Sequence, residues 1–185
     1  MRSSKGDELV SKALEVFYSS GFHATGLDKI VSETGISKTA IYNHFRTKED
    51  LILAALRLRD ERFRKWLFRL MEELADTPRG QLIALFDALE EWIVSDEFQG
   101  CVFVKVASEY QEHTDPIFRQ ATEHKRLIQD YLLALAEECE LQNAQNLVCQ
   151  LLVPKEGAII AAYLQMVDNP AKHAQDAAIA LIPST

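Results

Sequence analysis

Apolar side chains recur three and four residues apart along almost all of this 185-residue chain. No stretch alternates apolar with polar residues long enough to make a strand before a turn. That period gathers apolar groups on one face of a helix and would scatter them over both faces of a sheet, so the pattern predicts an all-α fold. Val10, Ala13, Leu14 and Phe17 make the first such face, and Gly21 ends it. Thr25 with Asp28 three residues on predicts a cap and a short helix through Glu33, broken by Gly35. Ser37 predicts the cap of a second short helix, to about His44. Thr47 with Asp50 repeats the pattern and opens a helix of roughly 25 residues reaching Ala75. Thr77-Pro78, Asp115-Pro116 and Asn169-Pro170 mark three more starts, because Pro fits a first turn where no N–H bond is needed. The later helices are expected near 78–95, 101–112, 116–140, 143–167 and 170–182, with a kink at Pro154, for about nine in all.

The organisation expected is a small head, residues 1–50, on a helical body, residues 51–185. The net charge of −8 is unevenly spread, since residues 1–50 hold seven Lys/Arg and seven Asp/Glu. The body carries the whole deficit, apart from a basic run of Arg57, Arg59, Arg62, Arg64, Lys65 and Arg69 just beyond the head. A neutral head beside a basic run leaves DNA binding open despite the acidic total. No apolar run approaches the ~18 residues of a membrane span, and the first nine residues lack a signal peptide's apolar core. Cys101, Cys139 and Cys149 show neither paired nor metal-ligand spacing, which predicts buried, reduced thiols. The expectation is a cytoplasmic protein with no membrane partner, no metal and no cofactor. No G-x-S-x-G, phosphate-cradling Gly loop or supported Cys–His or carboxylate pair points to an enzyme.

The segment from Leu27 to Phe45, LDKIVSETGISKTAIYNHF, has the logic of two short helices crossing steeply. Ile30 and Val31 face inward, Gly35 allows the turn, Ile36 plugs the corner, and Ala40 and Ile41 pack the second helix back. Phe45 is expected in the core and Tyr42 with its ring partly packed and its hydroxyl outward. Ser37, Lys38, Thr39, Tyr42, Asn43 and His44 then stand on an outer face whose donors and acceptors suit a major groove.

With its neighbours this segment resembles the N-terminal domain of the TetR family of bacterial transcription regulators. The resemblance covers residues 9–53: Ala13-x-x-x-Phe17, Gly21-Phe22, Thr25 before Leu27–Ile30, Thr34-Gly-Ile-Ser37, Ile41-Tyr42-Asn43-His44-Phe45 and Lys48-Glu49-Asp50-Leu51. Gly100-Cys101-x-Phe103 followed by Glu109 is similar to a pattern of one large subgroup. The resemblance implies base contacts from Lys38, Thr39 and Asn43, and phosphate contacts from Thr25, Tyr42, His44 and Lys48. Phosphate contacts set register and base contacts set sequence choice. The implied output is repression of transcription relieved by a ligand.

A head this small covers one half-site, so a homodimer on double-stranded DNA is expected. The small and apolar residues of the last two helices are its expected interface: Gly157, Ala158, Ala161 and Leu164 on one, Ala178 and Leu181 on the other. A small-molecule effector, apolar or aromatic, is expected among Phe86, Glu90, Phe103, Tyr110, His113 and Tyr131. Glu109 and His113 stand four apart, a spacing that could face a metal from one helix, but no third ligand accompanies them.

Overall fold

Side-chain caps legible in the sequence set the starts of three helices. The computed structural model describes residues 5–140 and 143–182. Among them run α1 (Lys5–Ser20), α2 (Leu27–Thr34), α3 (Lys38–His44), α4 (Lys48–Leu74), α5 (Pro78–Ile93), α6 (Val102–Glu109), α7 (Pro116–Glu138), α8 (Ala144–Tyr163) and α9 (Pro170–Leu181). No strand occurs among the described residues. Ser37 Oγ accepts the Ala40 N–H at 3.2 Å, and Thr77 Oγ1 accepts the Gly80 N–H at 3.1 Å. Thr47 and Asp50 form a reciprocal capping box, with bonds of 3.0 and 3.1 Å.

Helix α8 ends at Tyr163 rather than near 167, and two further boundaries differ from expectation. Thr25 caps nothing, because α2 starts at Leu27 and its N-cap is Gly26. That puts Thr25 one residue outside the position from which a side chain reaches the first free N–H groups. Helix α6 stops at Glu109, and residues 110–115 turn toward Pro116, which disfavours helical backbone in the residue before it. Glu109 and His113 therefore do not share a helix face. No cluster of His, Cys, Asp and Glu able to hold a metal occurs among the described residues. Helix α8 continues across Pro154.

The chain divides into two compact units, Met1–Phe63 with Val102–His124, and Arg64–Cys101 with Lys125–Thr185. The first is larger than a head ending at residue 50, because α6 and the start of α7 return to it. Its core holds Ala13, Phe17, Phe22, Ile30, Ile41, Leu51, Ile52 and Val106, each at most 1% exposed. Within that core lies a polar pair. His124 Nδ1 is 2.7 Å from Asp60 Oδ1, with side chains 3% and 7% exposed. The His124 ring stacks on Phe103 at 3.7 Å and meets Phe63 edge-on at 5.9 Å.

In the second unit, α8 and α9 pack on each other and on α5. Leu82, Leu85, Phe86 and Leu89 of α5, Val148 and Leu151 of α8, and Ala174 and Ala178 of α9 are buried in this unit. Lys155 follows Pro154 and is 1% exposed, its Nζ 2.7 Å from Glu156 Oε1. Lys125 Nζ lies 2.7 Å from Glu156 Oε2 and donates to Cys101 Sγ at 3.4 Å. Cys101 and Cys139 are half-buried and Cys149 is exposed, so the expectation of three buried thiols fails, most clearly at Cys149. No described helix is long and apolar enough to cross a membrane.

Burial by itself would raise the Glu156 carboxyl pKa, but the adjoining Lys155 and Lys125 ammonium groups outweigh it and hold the value at about 2, against an ordinary 4.5. The folded carboxyl is thus ionised where the unfolded one would bind a proton. Its stabilisation is complete above about pH 4.5 and is lost on descent toward about pH 2. Thermal unfolding through that window is expected to show Glu156→Gln less acid-sensitive than the wild type. Equal pH dependence in the two proteins would contradict this.

Candidate nucleic-acid interface

Helices α2 and α3 are joined by Gly35, whose φ of +70° is a conformation that a side chain would strain. Its N–H bonds to Val31 O at 3.0 Å, closing the end of α2. Thr34 adds a clamp: its hydroxyl donates to Ile30 O at 2.6 Å and accepts from Ile36 N at 3.2 Å. Ile30 and Ile41, at 0% and 1% exposure, lock the two helices together, with Ile36 half-buried at the corner.

That packing leaves Lys38, Thr39, Tyr42, Asn43 and His44 exposed on α3, with Tyr42 at 56%. Lys38 Nζ sits 2.5 Å from Asp28 Oδ1 of α2, and the hydrogen bond to Asp28, reinforced by its charge, raises the lysine pKa. Both side chains of that pair face solvent, so a competing acceptor can take the ammonium at small cost. Phe45 is half-buried, less enclosed than a core aromatic. Behind α3, Asn43 and His44 border an open groove of about 390 Å³ with Glu8, Leu9, Ile36 and Ala40.

Two of the expected phosphate ligands are placed differently. Thr25 is 0% exposed, and its hydroxyl has no hydrogen-bond partner among the described residues, so it does not face an incoming phosphate. Lys48 is half-buried, and its ammonium donates to the carbonyls of Phe22 at 3.1 Å and His23 at 3.3 Å. Two of its three donors serve the fold. In the basic run, Arg57 bonds Gln120, Arg62 bonds Ser11 and Arg59 lies over the Phe63 ring, so these cations also brace the first unit.

The expected effector residues do not share a unit. Phe103, Tyr110 and His113 belong to the first, Phe86, Glu90 and Tyr131 to the second. Glu90 is exposed on α5, and His113 is exposed and stacked on Phe118, so neither is enclosed enough to orient a buried ligand. Phe86 is core at 1% exposure. Tyr131 stacks on Phe68 at 3.8 Å and donates to Glu72 at 3.3 Å. The buried Tyr110 hydroxyl has no hydrogen-bond partner among the described residues. Burial first, then the charges of Glu49 and Glu109, push its pKa up to about 12, so it remains a donor at physiological pH. The Asp60–His124 pair, the Thr34 clamp and the hydrogen bonds of Glu109 escaped the sequence reading. In the sequence Asp60, His124 and Thr34 stand as further polar residues on their helices, and Glu109 stands out only for its place in the Gly100-Cys101-x-Phe103 pattern and its spacing to His113.

The expected dimer residues also divide. Ala158 and Ala178, at 4% and 0% exposure, are already covered within the chain. Gly157, Leu164 and Leu181 are exposed, and Ala161 is half-buried. Around them Ile160, Tyr163, Met166, Val167 and Ile179 are between 47% and 64% exposed.

Residues 9–55 match the family described as bacterial regulatory proteins, tetR family. The transcriptional regulator YjdC of Escherichia coli is 22% identical over 153 residues, covering 83% of this chain and 80% of that protein. The transcriptional repressor KstR2 of Mycolicibacterium smegmatis is 32% identical over 95 residues, covering 48% of this chain and 44% of its own. The crystal structure of SCO4454, a TetR-family regulator from Streptomyces coelicolor, shares the fold with a TM-score of 0.86 at 24% identity, over 94% of this chain and 86% of that one. Residues 9–55 thus carry the DNA-binding domain of the tetR family, and along most of its length the chain has the helical fold of a TetR-family transcription regulator.

Proposed function

We propose that the protein is a cytoplasmic homodimeric repressor that leaves a pseudo-palindromic operator when a small molecule binds its helical part. The observation that carries the DNA side is the exposed row Lys38, Thr39, Tyr42, Asn43 and His44 on α3, braced from behind by Ile30 and Ile41. Lys38, Thr39 and Asn43 take base edges, while Tyr42 and His44 take phosphate, with one remaining Lys48 donor in support. The similar proteins include the repressor KstR2 and the activator FasR at equal identity, so the sign of regulation rests on the output that the family resemblance implies. The exposed apolar residues at the end of α8 and on α9 support the dimer. For the effector, the buried, unpartnered Tyr110 hydroxyl, on a ring stacked against His23, supports a largely apolar molecule carrying one acceptor. Such a molecule acts only if it binds one arrangement of the recognition helices better than the other.

The test starts from random duplexes from which the wild type enriches its preferred sequence. Lys38→Ala and Asn43→Ala are each expected to flatten discrimination at one base pair by roughly 1–3 kcal/mol while keeping non-specific affinity. Unchanged preference in both variants would remove α3 as the reading helix.

A further inference from the structure

The connector between α1 and α2 is gripped from two sides. Gly21, at φ +84°, turns the chain out of α1, and the Phe22 ring is buried and stacked on Phe17 at 5.5 Å. Phe22 and His23 then lie outside any helix, and their backbone groups need partners from elsewhere. Glu109, the last residue of α6, supplies the acceptors: Phe22 N donates to Oε1 at 3.0 Å and His23 N to Oε2 at 2.6 Å. His23 Nε2 meets the Glu109 carbonyl oxygen at 2.9 Å, and its ring stacks on Tyr110 at 4.3 Å. Lys48, the first residue of α4, holds the two carbonyls. One dipeptide thus has both N–H groups on α6 and both carbonyls on α4.

A carboxylate accepting two adjacent N–H groups is a charge-assisted, two-point hold. Helix α2 begins four residues beyond His23, at Leu27, and α3 is locked to α2 through Ile30, Gly35 and Ile41. A shift of α6 by more than about 0.5 Å, the tolerance of such a geometry, must break these bonds or carry the connector with it. We propose that Glu109 is a positioning residue for DNA recognition: its carboxylate sets the direction of α3 through the Phe22–His23 connector and transmits movement of α6 to it. The inference rests on α3 being the DNA-reading helix. It also gives a role to the Glu of the Gly100-Cys101-x-Phe103…Glu109 pattern.

Charge alone predicts the opposite sign. A carboxylate on the DNA-binding unit repels phosphate, so neutralising it should tighten binding. The experiment uses the full chain, the duplex that the wild type enriches and an unrelated duplex of equal length, read by fluorescence anisotropy at several salt concentrations. Glu109→Gln puts an amide N–H against one of the two backbone donors. Glu109→Asp keeps the charge but is too short to reach both. Each is expected to weaken binding to the selected duplex by about tenfold, within the range of coupled network positions, with an unaltered salt slope. Non-specific affinity does not fall, and hydrogen exchange at the Phe22 and His23 amides accelerates. Tighter binding by Glu109→Gln, or wild-type affinity in the folded fraction with only a lower Tm, overturns the proposal. Should neither variant fold, exchange at those two amides in the wild type decides, rising protection on binding the duplex supporting the hold and unchanged protection overturning it. Failure of the wild type to enrich any duplex would count against the DNA reading itself.

Discussion

Leu164→Arg is expected to turn the protein into a monomer and to abolish tight operator binding. Leu164 is 59% exposed where α8 ends, close in sequence to Ile160, Tyr163, Met166 and Val167, all about half exposed or more. Apolar area of this kind marks an interaction surface more often than a solvated one. Gly157 adds room for close approach, since a Cβ there would meet nothing within 4 Å. In a two-fold interface one substitution places two guanidinium groups in the seam. At about 3 kcal/mol for each stranded charge, the dimer dissociation constant rises roughly 10⁴-fold. The operator then meets single heads, which lose the gain from joining two half-sites, about a hundredfold or more. Sizing chromatography at micromolar concentration checks the first step, and an intact dimer there would mean the interface lies elsewhere.

The second large effect is on stability. Asp60→Ala leaves the His124 Nδ1 facing a cavity in the core of the first unit, where both side chains are almost fully buried. Removing one partner of a buried polar pair costs about 3 kcal/mol, and more when the survivor is charged. That is a large share of the 5–15 kcal/mol, roughly, by which a domain is stable. His124 also stacks on Phe103 and touches Phe63, so its movement loosens α4, α6 and α7 together. Urea unfolding should give a lower midpoint for Asp60→Ala with an unchanged m-value. An unfolding free energy within about 1 kcal/mol of the wild type would show that the pair is solvated or dispensable.

Local chemistry was legible in the sequence, and long-range pairing was not. Ser37, Thr47 and Thr77 cap their helices as their spacing implies, because a cap is decided within three or four residues. Gly35 was legible for the same reason. Thr25 failed because a shift of one residue in the start of α2 moves it from cap to core. Ala158 and Ala178 failed because a small residue suits an intramolecular helix contact and an intermolecular one equally well. Glu109 reaches the amides of Phe22 and His23 across 87 and 86 residues of sequence, and Asp60 reaches His124 across 64. Nothing in the neighbourhood of any of these residues announces such a partner. In α3 the exposed side chains follow from which neighbours are apolar, so the outer face of that helix was readable where the grouping of the expected effector residues was not.

The most direct test is to let the wild-type protein select from random duplex DNA and to footprint the winner. Two half-sites related by a two-fold axis and about one helical turn apart, or a small multiple of it, are expected, protected together and lost together in Leu164→Arg. Enrichment of no sequence, or of one unrepeated half-site bound equally well by Leu164→Arg, would contradict recognition by a dimer through α3.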